Sequence, residues 1–190
     1  MSRDDRRQAI LAAVMPLLIA KGSAVTTAEI AEAAGIAEGT IFRAFTDKAA
    51  LIRAAVEVTI DAGPTRDALE AIDPDLPLKA QLTAAARILA DRFERITALM
   101  EILRTLPHPE RGHHPGSRQF VTDSIATVSE ALTSLFEHHR DALTIEPSRA
   151  AAALRGLIFA STHPMMSPEE KLTTDEVVSI LLDGVTGRPA

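Results

Sequence analysis

The chain has 190 residues, 46% of them hydrophobic and 24% charged, with six Phe but no Tyr, Trp or Cys. This apolar fraction is too high for an intrinsically disordered chain, and the length suffices for one or two domains with real cores. The lack of Cys excludes disulfide scaffolds, thiolate zinc sites and cysteine nucleophiles. A formal net charge of −6 argues against a molecule that binds nucleic acid over its whole surface.

The first predicted helix covers residues 4–21 and ends at Gly22, a residue that suits the left-handed position after a helix. Its residues 9–20 form an apolar run that superficially looks like a signal peptide. However, Asp4 and Asp5 interrupt the basic segment that should precede such a run. The run is also shorter than the ~20 residues that a membrane span needs. We therefore expect a core helix in a cytoplasmic protein.

Three further helices are predicted in the N-terminal part. The second begins at Thr26, where Thr26 and Glu29 have the spacing of a capping box, and it ends at Gly35. The third covers residues 38–44 and the fourth residues 48–62. A helix, a turn centred on glycine and a second helix make a helix-turn-helix pattern.

The rest of the chain is also predicted to be helical, because Ala, Leu, Arg and Glu dominate it and no alternating β-branched strand is present. We expect a loop over residues 107–116. The fold class is therefore all-α, with about nine helices. The remaining predicted helices cover residues 64–72, 77–106, 117–142, 147–162 and 174–186.

The charge is unevenly distributed along the chain. Residues 1–55 carry seven Lys or Arg and six Asp or Glu, whereas residues 56–190 carry 13 basic and 20 acidic residues. A weakly basic N-terminal part permits a local surface that faces nucleic acid. The third helix is free to present such a surface to a DNA major groove, and Gly39 near its start allows a close approach of the backbone. The residues that it would present are Glu38, Gly39, Thr40, Arg43 and Ala44.

A wider set of residues between positions 10 and 51 combines specific spacing with specific identity. This set resembles the tetracycline-repressor (TetR) family of transcriptional regulators, whereas the C-terminal part fits that family in length and helical pattern only. The residues that carry the resemblance are Ile10, Leu11, Ala12, Ala13, Lys21, Gly22, Thr27, Ile30, Ala31, Ala33, Ala34, Gly35, Gly39, Thr40, Phe42, Phe45, Lys48 and Leu51.

The resemblance implies a homodimer that binds a palindromic operator in double-stranded DNA, with one recognition helix in each half-site. It implies a helix-turn-helix DNA-binding domain over residues 1–50 and a ligand-binding and dimerisation domain over residues 51–190. By family position, Thr27 and Lys48 would hold backbone phosphates, while Thr40 and Arg43 would lie nearest the base edges. The full set of candidate DNA-binding residues is Thr26, Thr27, Ala37, Glu38, Gly39, Thr40, Phe42, Arg43 and Lys48.

The chain departs from the family pattern at positions that would face DNA. Ala37 stands where a Ser or Thr is usual, Phe42 replaces a Tyr and Ala44 replaces a His. Each change deletes a side-chain donor, and Ala37 also removes a helix cap worth ~1 kcal/mol. Glu38 adds a negative charge beside the phosphates unless it accepts a hydrogen bond from a cytosine amino group. We therefore predict a salt dependence of DNA binding shallower by ~1 or more in slope than in a relative with Tyr and His.

Two groups of basic side chains each leave two interpretations open. Arg3, Arg6 and Arg7 form either a solvated, frayed terminus, which we favour, or an arm that enters the minor groove. The histidines of the 107–116 loop are expected to be solvated rather than to hold a metal, and no metal or cofactor is predicted. These histidines are His108, His113 and His114.

Several apolar residues of the middle helices have the spacing of core residues. The resemblance places an inducer site among these helices, so the same residues are candidates for lining a mostly apolar ligand pocket. Arg92, Arg95 and Thr97 could supply polar contacts, although the two arginines are expected to be exposed. The candidate ligand-binding residues are Phe93, Ile96, Met100, Leu103, Phe120 and Phe159.

The last two predicted helices carry a stripe of small residues and a wide apolar arc. In the family these helices form a four-helix dimer interface, and burial within one subunit is the alternative. The candidate interface residues are Ala152, Gly156, Ala160, Val178, Leu181, Leu182 and Val185.

The predicted function is a ligand-responsive DNA-binding regulator, a repressor that a small apolar inducer releases from its operator. An enzyme is not expected, because no pairing of nucleophile and base, phosphate loop or paired-carboxylate motif is present. The alternative function is a helical protein-interaction module without sequence-specific DNA binding.

Overall fold

The computed structural model describes residues 3–106, 115–163, 166 and 171–185. Within these residues the regular elements are helices and no β-strand is present. The predicted all-α fold class is confirmed. No helix among the described residues is both long enough and apolar enough to cross a membrane.

The four N-terminal helices closely follow the predicted bounds. They are α1 (Arg3–Lys21), α2 (Thr27–Ala33), α3 (Glu38–Ala44) and α4 (Lys48–Ile60). α1 ends before Gly22, whose φ of 59° is the left-handed conformation that glycine adopts without steric cost. α4 starts at a cap that was not predicted, in which the Asp47 side chain accepts a hydrogen bond from the Ala50 amide at 2.6 Å.

The later helices also follow the prediction, except at the end of α7. They are α5 (Gly63–Glu70), α6 (Leu78–Thr105), α7 (Pro115–Glu137), α8 (Pro147–Thr162) and α9 (Thr174–Val185). The prediction of a helix over residues 117–142 is wrong at its C-terminal end, where a short 3-10 turn covers Arg140–Ala142. The His139 amide donates to the Phe136 carbonyl at 3.0 Å, and this tighter i to i−3 bond ends the α-helix.

The chain forms two compact units. The first comprises Met1–Asp61 and Arg95–Ser117, and the second comprises Ala62–Glu94 and Arg118–Ala190. α6 therefore contributes its last turns to the first unit and its earlier turns to the second. The domain boundary after residue 50 stays a prediction about where the functions divide.

The core of the first unit joins the buried faces of α1 to α4 with the end of α6. α1 packs on α2, α3 and α4, and Leu99 of α6 is fully buried in the same cluster. Burial of each large aliphatic side chain stabilises the fold by about 1.5–3 kcal/mol, which helices as short as α2 and α3 need in order to persist. The other main members are Ile10, Val14, Leu18, Ile30, Ile41, Leu51 and Ile52.

The second unit has a separate apolar core, in which α8 packs on α9. Arg92 is buried here with only 6% of its surface exposed. Its Nη1 donates to Thr65 Oγ1 at 3.1 Å and its Nη2 donates to Ser124 Oγ at 2.6 Å. These bonds connect α5, α6 and α7. The apolar members include Leu82, Leu89, Leu132, Phe136, Leu154 and Ile158.

Candidate DNA-binding surface

The start of α2 is held by the predicted capping box. Thr26 Oγ1 accepts from the Glu29 amide at 3.2 Å, and Glu29 Oε2 accepts from the Thr26 amide at 2.9 Å. Lys21 Nζ donates to Glu29 Oε1 at 2.6 Å. The Lys21 hydrogen bond, followed by the Thr26 amide, lowers the pKa of Glu29 to about 2. The Thr26 side chain, a candidate DNA contact, therefore caps the N-terminus of α2 in this structure.

The turn between α2 and α3 sets the direction of the third helix. Gly35 has a φ of 65°, and the Ile36 amide donates to the Ala31 carbonyl at 3.0 Å. Ile41 is fully buried in the core of the first unit. Because α3 is anchored on its Ile41 side, its opposite side is fixed outward.

The outward side of α3 carries most of the predicted contacts. Glu38, Gly39, Phe42 and Arg43 are exposed, and Thr40 is half-buried. Phe42 has 52% of its surface exposed, which is unusual for an aromatic side chain without a polar tip. An apolar ring in this position can contact a thymine methyl group, and a guanidinium can bind guanine.

Two small residues frame the start of this surface. Ala37 precedes α3 with extended backbone and provides no side-chain cap, as the departure from the family pattern predicts. A Cβ placed on Gly39 would meet no atom within 4 Å. Packing inside the chain therefore does not require a glycine at position 39, and its use for a close approach to DNA stays a prediction.

Two candidate DNA contacts are paired with each other. Thr27 Oγ1 donates to Glu38 Oε1 at 2.5 Å, so the first residue of α2 is bonded to the first residue of α3. No local sequence pattern indicates this pair, because the two positions are eleven residues apart and form no recognised short motif.

Lys48 also has a partner within the chain. Its Nζ donates to the Ser23 carbonyl at 2.7 Å, which connects the start of α4 to the segment after α1. An ammonium group has three donors, so Lys48 retains others for a phosphate contact.

Arg6 and Arg7 do not belong to a frayed terminus. α1 already includes both residues, and both are half-buried. The Arg7 guanidinium lies over the Phe45 ring, 4.4 Å from its centroid, in a cation–π contact. The preference for a solvated, frayed terminus is therefore wrong for Arg6 and Arg7, while the side chain of Arg3 lies outside the described part.

Comparison with known families decides which group of proteins has this arrangement. Residues 10–55 match the family described as bacterial regulatory proteins, tetR family. This N-terminal segment is therefore similar to the TetR family. The match includes all of α2 and α3 with the greater part of α1, so it covers the helices that carry the exposed surface. No curated protein matches the chain.

Solved structures share the TetR fold over nearly the whole chain. A TetR-family transcriptional regulator from Mesorhizobium loti is 20% identical with a TM-score of 0.68, covering 98% of this chain and 100% of its own. SmeT, solved in complex with triclosan, is 20% identical with a TM-score of 0.58, covering 96% and 92%. NalD of Pseudomonas aeruginosa, a secondary repressor of a multidrug efflux pump, is 18% identical with a TM-score of 0.54, covering 96% of both chains. At these identities the likeness establishes the fold alone.

The six candidate ligand residues are divided equally between the two units. Phe93 and Phe159 meet edge to face in the second unit with ring centroids 5.5 Å apart, and Phe120 is also in this unit. The other three, Ile96, Met100 and Leu103, belong to the first unit, where Ile96 and Leu103 pack against its core and Met100 is exposed.

The polar candidates near these residues also differ from expectation. The prediction that Arg92 is exposed is wrong, because its guanidinium is enclosed among α5, α6 and α7, whereas Arg95 is exposed as expected. A separate cleft of about 220 Å³ lies between α5, α6 and α7. None of the residues that line this cleft is among the candidate ligand contacts. The lining includes Leu69, Ile72, Gln81, Leu135 and His138.

The predicted dimer residues divide into an exposed and a buried group. Ala152 and Gly156 of α8 are exposed and Ala160 is half-buried. Val178 and Leu181 of α9 are buried within the chain itself, so they are unavailable to a partner, and Leu182 is half-buried. The side chain of Val185 lies outside the described part.

The histidine loop cannot be placed, since His108, His113 and His114 lie outside the described residues. Among the residues that are described, no group of three or more His, Asp or Glu side chains is arranged to hold a metal ion.

Proposed function

We propose that the chain is a transcriptional repressor that binds a palindromic operator as a homodimer and leaves it when a small apolar molecule binds. The observation that carries the proposal is the outward face of α3, with Glu38, Gly39, Phe42 and Arg43 exposed on a helix anchored by Ile41. A recognition helix presented in this way fits a major groove. The proposed place of action is the cytoplasm.

Contacts to phosphates would fix the position of the helix, and contacts to bases would give sequence preference. Arg43 is the cation on the exposed face of α3, and Lys48 begins the next helix. Two such helices in a dimer must lie ~34 Å apart in order to enter successive major grooves on one face of the duplex.

The proposed dimer uses the exposed side of α8. Ala152 and Gly156 are separated by one helical turn and carry almost no side chain, so they permit close approach of another helix. On α9, Ile180 is 50% exposed and adds apolar surface that a partner could cover.

Ligand response is supported by the fold and by the aromatic pair of the second unit. SmeT, which has the same fold, was solved with triclosan, an apolar aromatic compound. In this chain Phe159 is 44% exposed beside Phe93, a suitable surface for an aromatic ligand. The ligand would favour one spacing of the recognition helices, with a coupling of about 1–3 kcal/mol, and α4 is the proposed lever between ligand and DNA.

A gel-shift titration tests DNA binding, with the DNA that flanks the gene of this chain as the probe. We expect a specific complex whose affinity falls steeply as salt rises, because bound Lys and Arg release counterions from the phosphates. Addition of triclosan as the first apolar test compound should release the DNA. Binding that is absent at low salt, or that does not change with salt, would favour the protein-interaction module instead.

A further inference from the structure

The hydrogen bond between Thr27 and Glu38 changes what each residue can do on DNA. A threonine hydroxyl has one proton to donate. In this structure that proton goes to Glu38 Oε1. Phosphate oxygens only accept hydrogen bonds, so Thr27 cannot donate to a phosphate while the bond to Glu38 persists. The role that family position implies for Thr27 therefore conflicts with the contact that the structure shows.

Glu38 can accept hydrogen bonds but cannot donate them. It is exposed on α3, and among the described residues it forms no ion pair with Lys or Arg. A carboxylate has about four acceptor positions, so the bond from Thr27 leaves others free. The remaining positions need a donor, and phosphates offer none.

The major groove offers two amino donors, on cytosine and on adenine. The adenine amino group lies beside N7, an acceptor that repels a carboxylate. The cytosine edge presents its amino group without a neighbouring acceptor of its own. A carboxylate in the first turn of a recognition helix, where base edges are contacted, is therefore selective for cytosine.

We infer that Glu38 is a specificity-determining residue that binds a cytosine amino group in each operator half-site, and that Thr27 is the positioning residue that holds its carboxylate. The inference rests on the proposed DNA binding and deepens it. The bond between α2 and α3 restricts the rotation of the Glu38 side chain before DNA arrives, which lowers the entropy lost on binding.

Selection from a double-stranded DNA library with a randomised centre, using the full-length protein, tests the inference. The selected half-site should contain one position that requires cytosine. Anisotropy titrations should then show that another base at this position weakens binding by about tenfold.

Variants at both positions distinguish the base contact of Glu38 from the positioning of its carboxylate by Thr27. Glu38→Ala should lose the preference at this one position, and Glu38→Gln should shift it to adenine, since an amide matches the adenine edge. Thr27→Val, which lacks the hydroxyl, should weaken the cytosine preference severalfold without changing the salt slope, and Thr27→Ser should keep it. Thermal melts by circular dichroism establish that each variant is folded.

Glu32→Gln is the matched control, because it removes the same charge from an exposed position of α2. If Glu38→Gln and Glu32→Gln tighten binding to all sequences alike and change no base preference, Glu38 acts by charge alone and the inference is overturned. Equal weakening on every sequence by Thr27→Val would return Thr27 to the phosphate role and also overturn it. A wild-type protein that enriches no sequence would overturn the proposed function itself.

Discussion

Ala37 stands at the one helix start of the candidate DNA-binding surface that lacks a side-chain cap. Thr26 caps α2 and Asp47 caps α4, whereas Ala37 has the extended backbone of a cap residue but no acceptor. Ala37→Ser should therefore stabilise the chain by about 1 kcal/mol and raise its melting temperature by about 2–4 °C.

Thermal unfolding followed by circular dichroism checks this prediction. Ala98→Ser, an exposed position inside α6, is the control and should be neutral or slightly destabilising because serine is the poorer helix former. Equal melting temperatures for Ala37→Ser and the wild type would show that the backbone at this position does not accept a cap.

Glu29 makes the stability of the first unit dependent on pH in the acid range. Its pKa is lowered to about 2 by Lys21 and by the Thr26 amide, so the ionised form stabilises the fold. The contribution is complete above pH about 4.5, the ordinary value, and is lost as the pH falls through about 2. Glu29→Gln should therefore lower the urea midpoint near neutral pH, and the difference from the wild type should shrink in acid.

The Lys21→Gln background tests whether the ion pair with Lys21 is the source of the stabilisation by Glu29. In that background Glu29→Gln should have a smaller effect near neutral pH, since the largest source of the lowered pKa is gone. An undiminished effect would assign the stabilisation to the capping box rather than to the ion pair.

At the scale of single residues, the sequence predicts contacts between residues that are close along the chain and does not predict contacts between residues that are far apart along it. The capping box joins Thr26 to Glu29, and its pattern is visible in four consecutive letters. The Thr27–Glu38 bond and the burial of Arg92 depend on how separate helices pack, so no local pattern indicates them. Two of the departures from expectation thus concern polar side chains whose partners lie on other helices.

At the scale of helices, Arg43 and Lys48 lie on successive helices and should differ in their effect on DNA binding. Arg43→Ala should weaken binding and relax the sequence preference by about 1–3 kcal/mol if the guanidinium contacts a base. Lys48→Ala should weaken binding equally on all sequences and lower the salt slope by about 1. Anisotropy titrations on selected and scrambled duplexes at several salt concentrations provide the measurement.

Lys48 needs its own control because its ammonium group also binds the Ser23 carbonyl. Thermal melts of Lys48→Ala and Lys48→Met distinguish a loss of the DNA contact from a loss of the fold, since methionine keeps an apolar stem. A sequence preference that changes in Lys48→Ala but not in Arg43→Ala would contradict the assignment.

The bounds of helices were the most predictable feature, because caps, glycines and prolines mark them locally. Gly22 directly follows α1 and Pro147 begins α8, as predicted, whereas α2 ends at Ala33, two residues before the predicted Gly35. The predicted end of α7 was wrong because apolar and polar residues continue to alternate with a helical period beyond the helix. The 3-10 turn that follows the helix instead depends on a single backbone hydrogen bond.

At the scale of the whole molecule, Gly156 tests the proposed dimer. A Cβ placed at this exposed position would meet no atom of another part of the chain within 4 Å, so Gly156→Arg should preserve the fold of the protomer. It should separate the dimer and thereby abolish tight operator binding. Light scattering after gel filtration measures the mass, with Ala68→Arg on the exposed side of α5 as a control that should remain dimeric. An unchanged mass for Gly156→Arg would place the interface elsewhere.

The departures at positions 42 and 44 predict the salt dependence of the assembled complex. Phe42 and Ala44 supply no hydrogen-bond donor or charge to the phosphates. The combined Phe42→Tyr and Ala44→His variant should have a salt slope steeper by about 1 near pH 6, where the imidazole is substantially charged. Titrations of both proteins on one duplex check this, and an equal or shallower slope in the variant would refute it.

The first unit is discontinuous in sequence, and this determines the stage of protein synthesis at which its core can be completed. Leu99 and Ile102 complete a core whose other members end at Ile60. A ribosome that has released only α1 to α4 has therefore produced a recognition helix without its full support. The first unit reaches its final stability only after α5 and most of α6 have been synthesised, so a nascent chain cannot present the finished DNA-binding surface early.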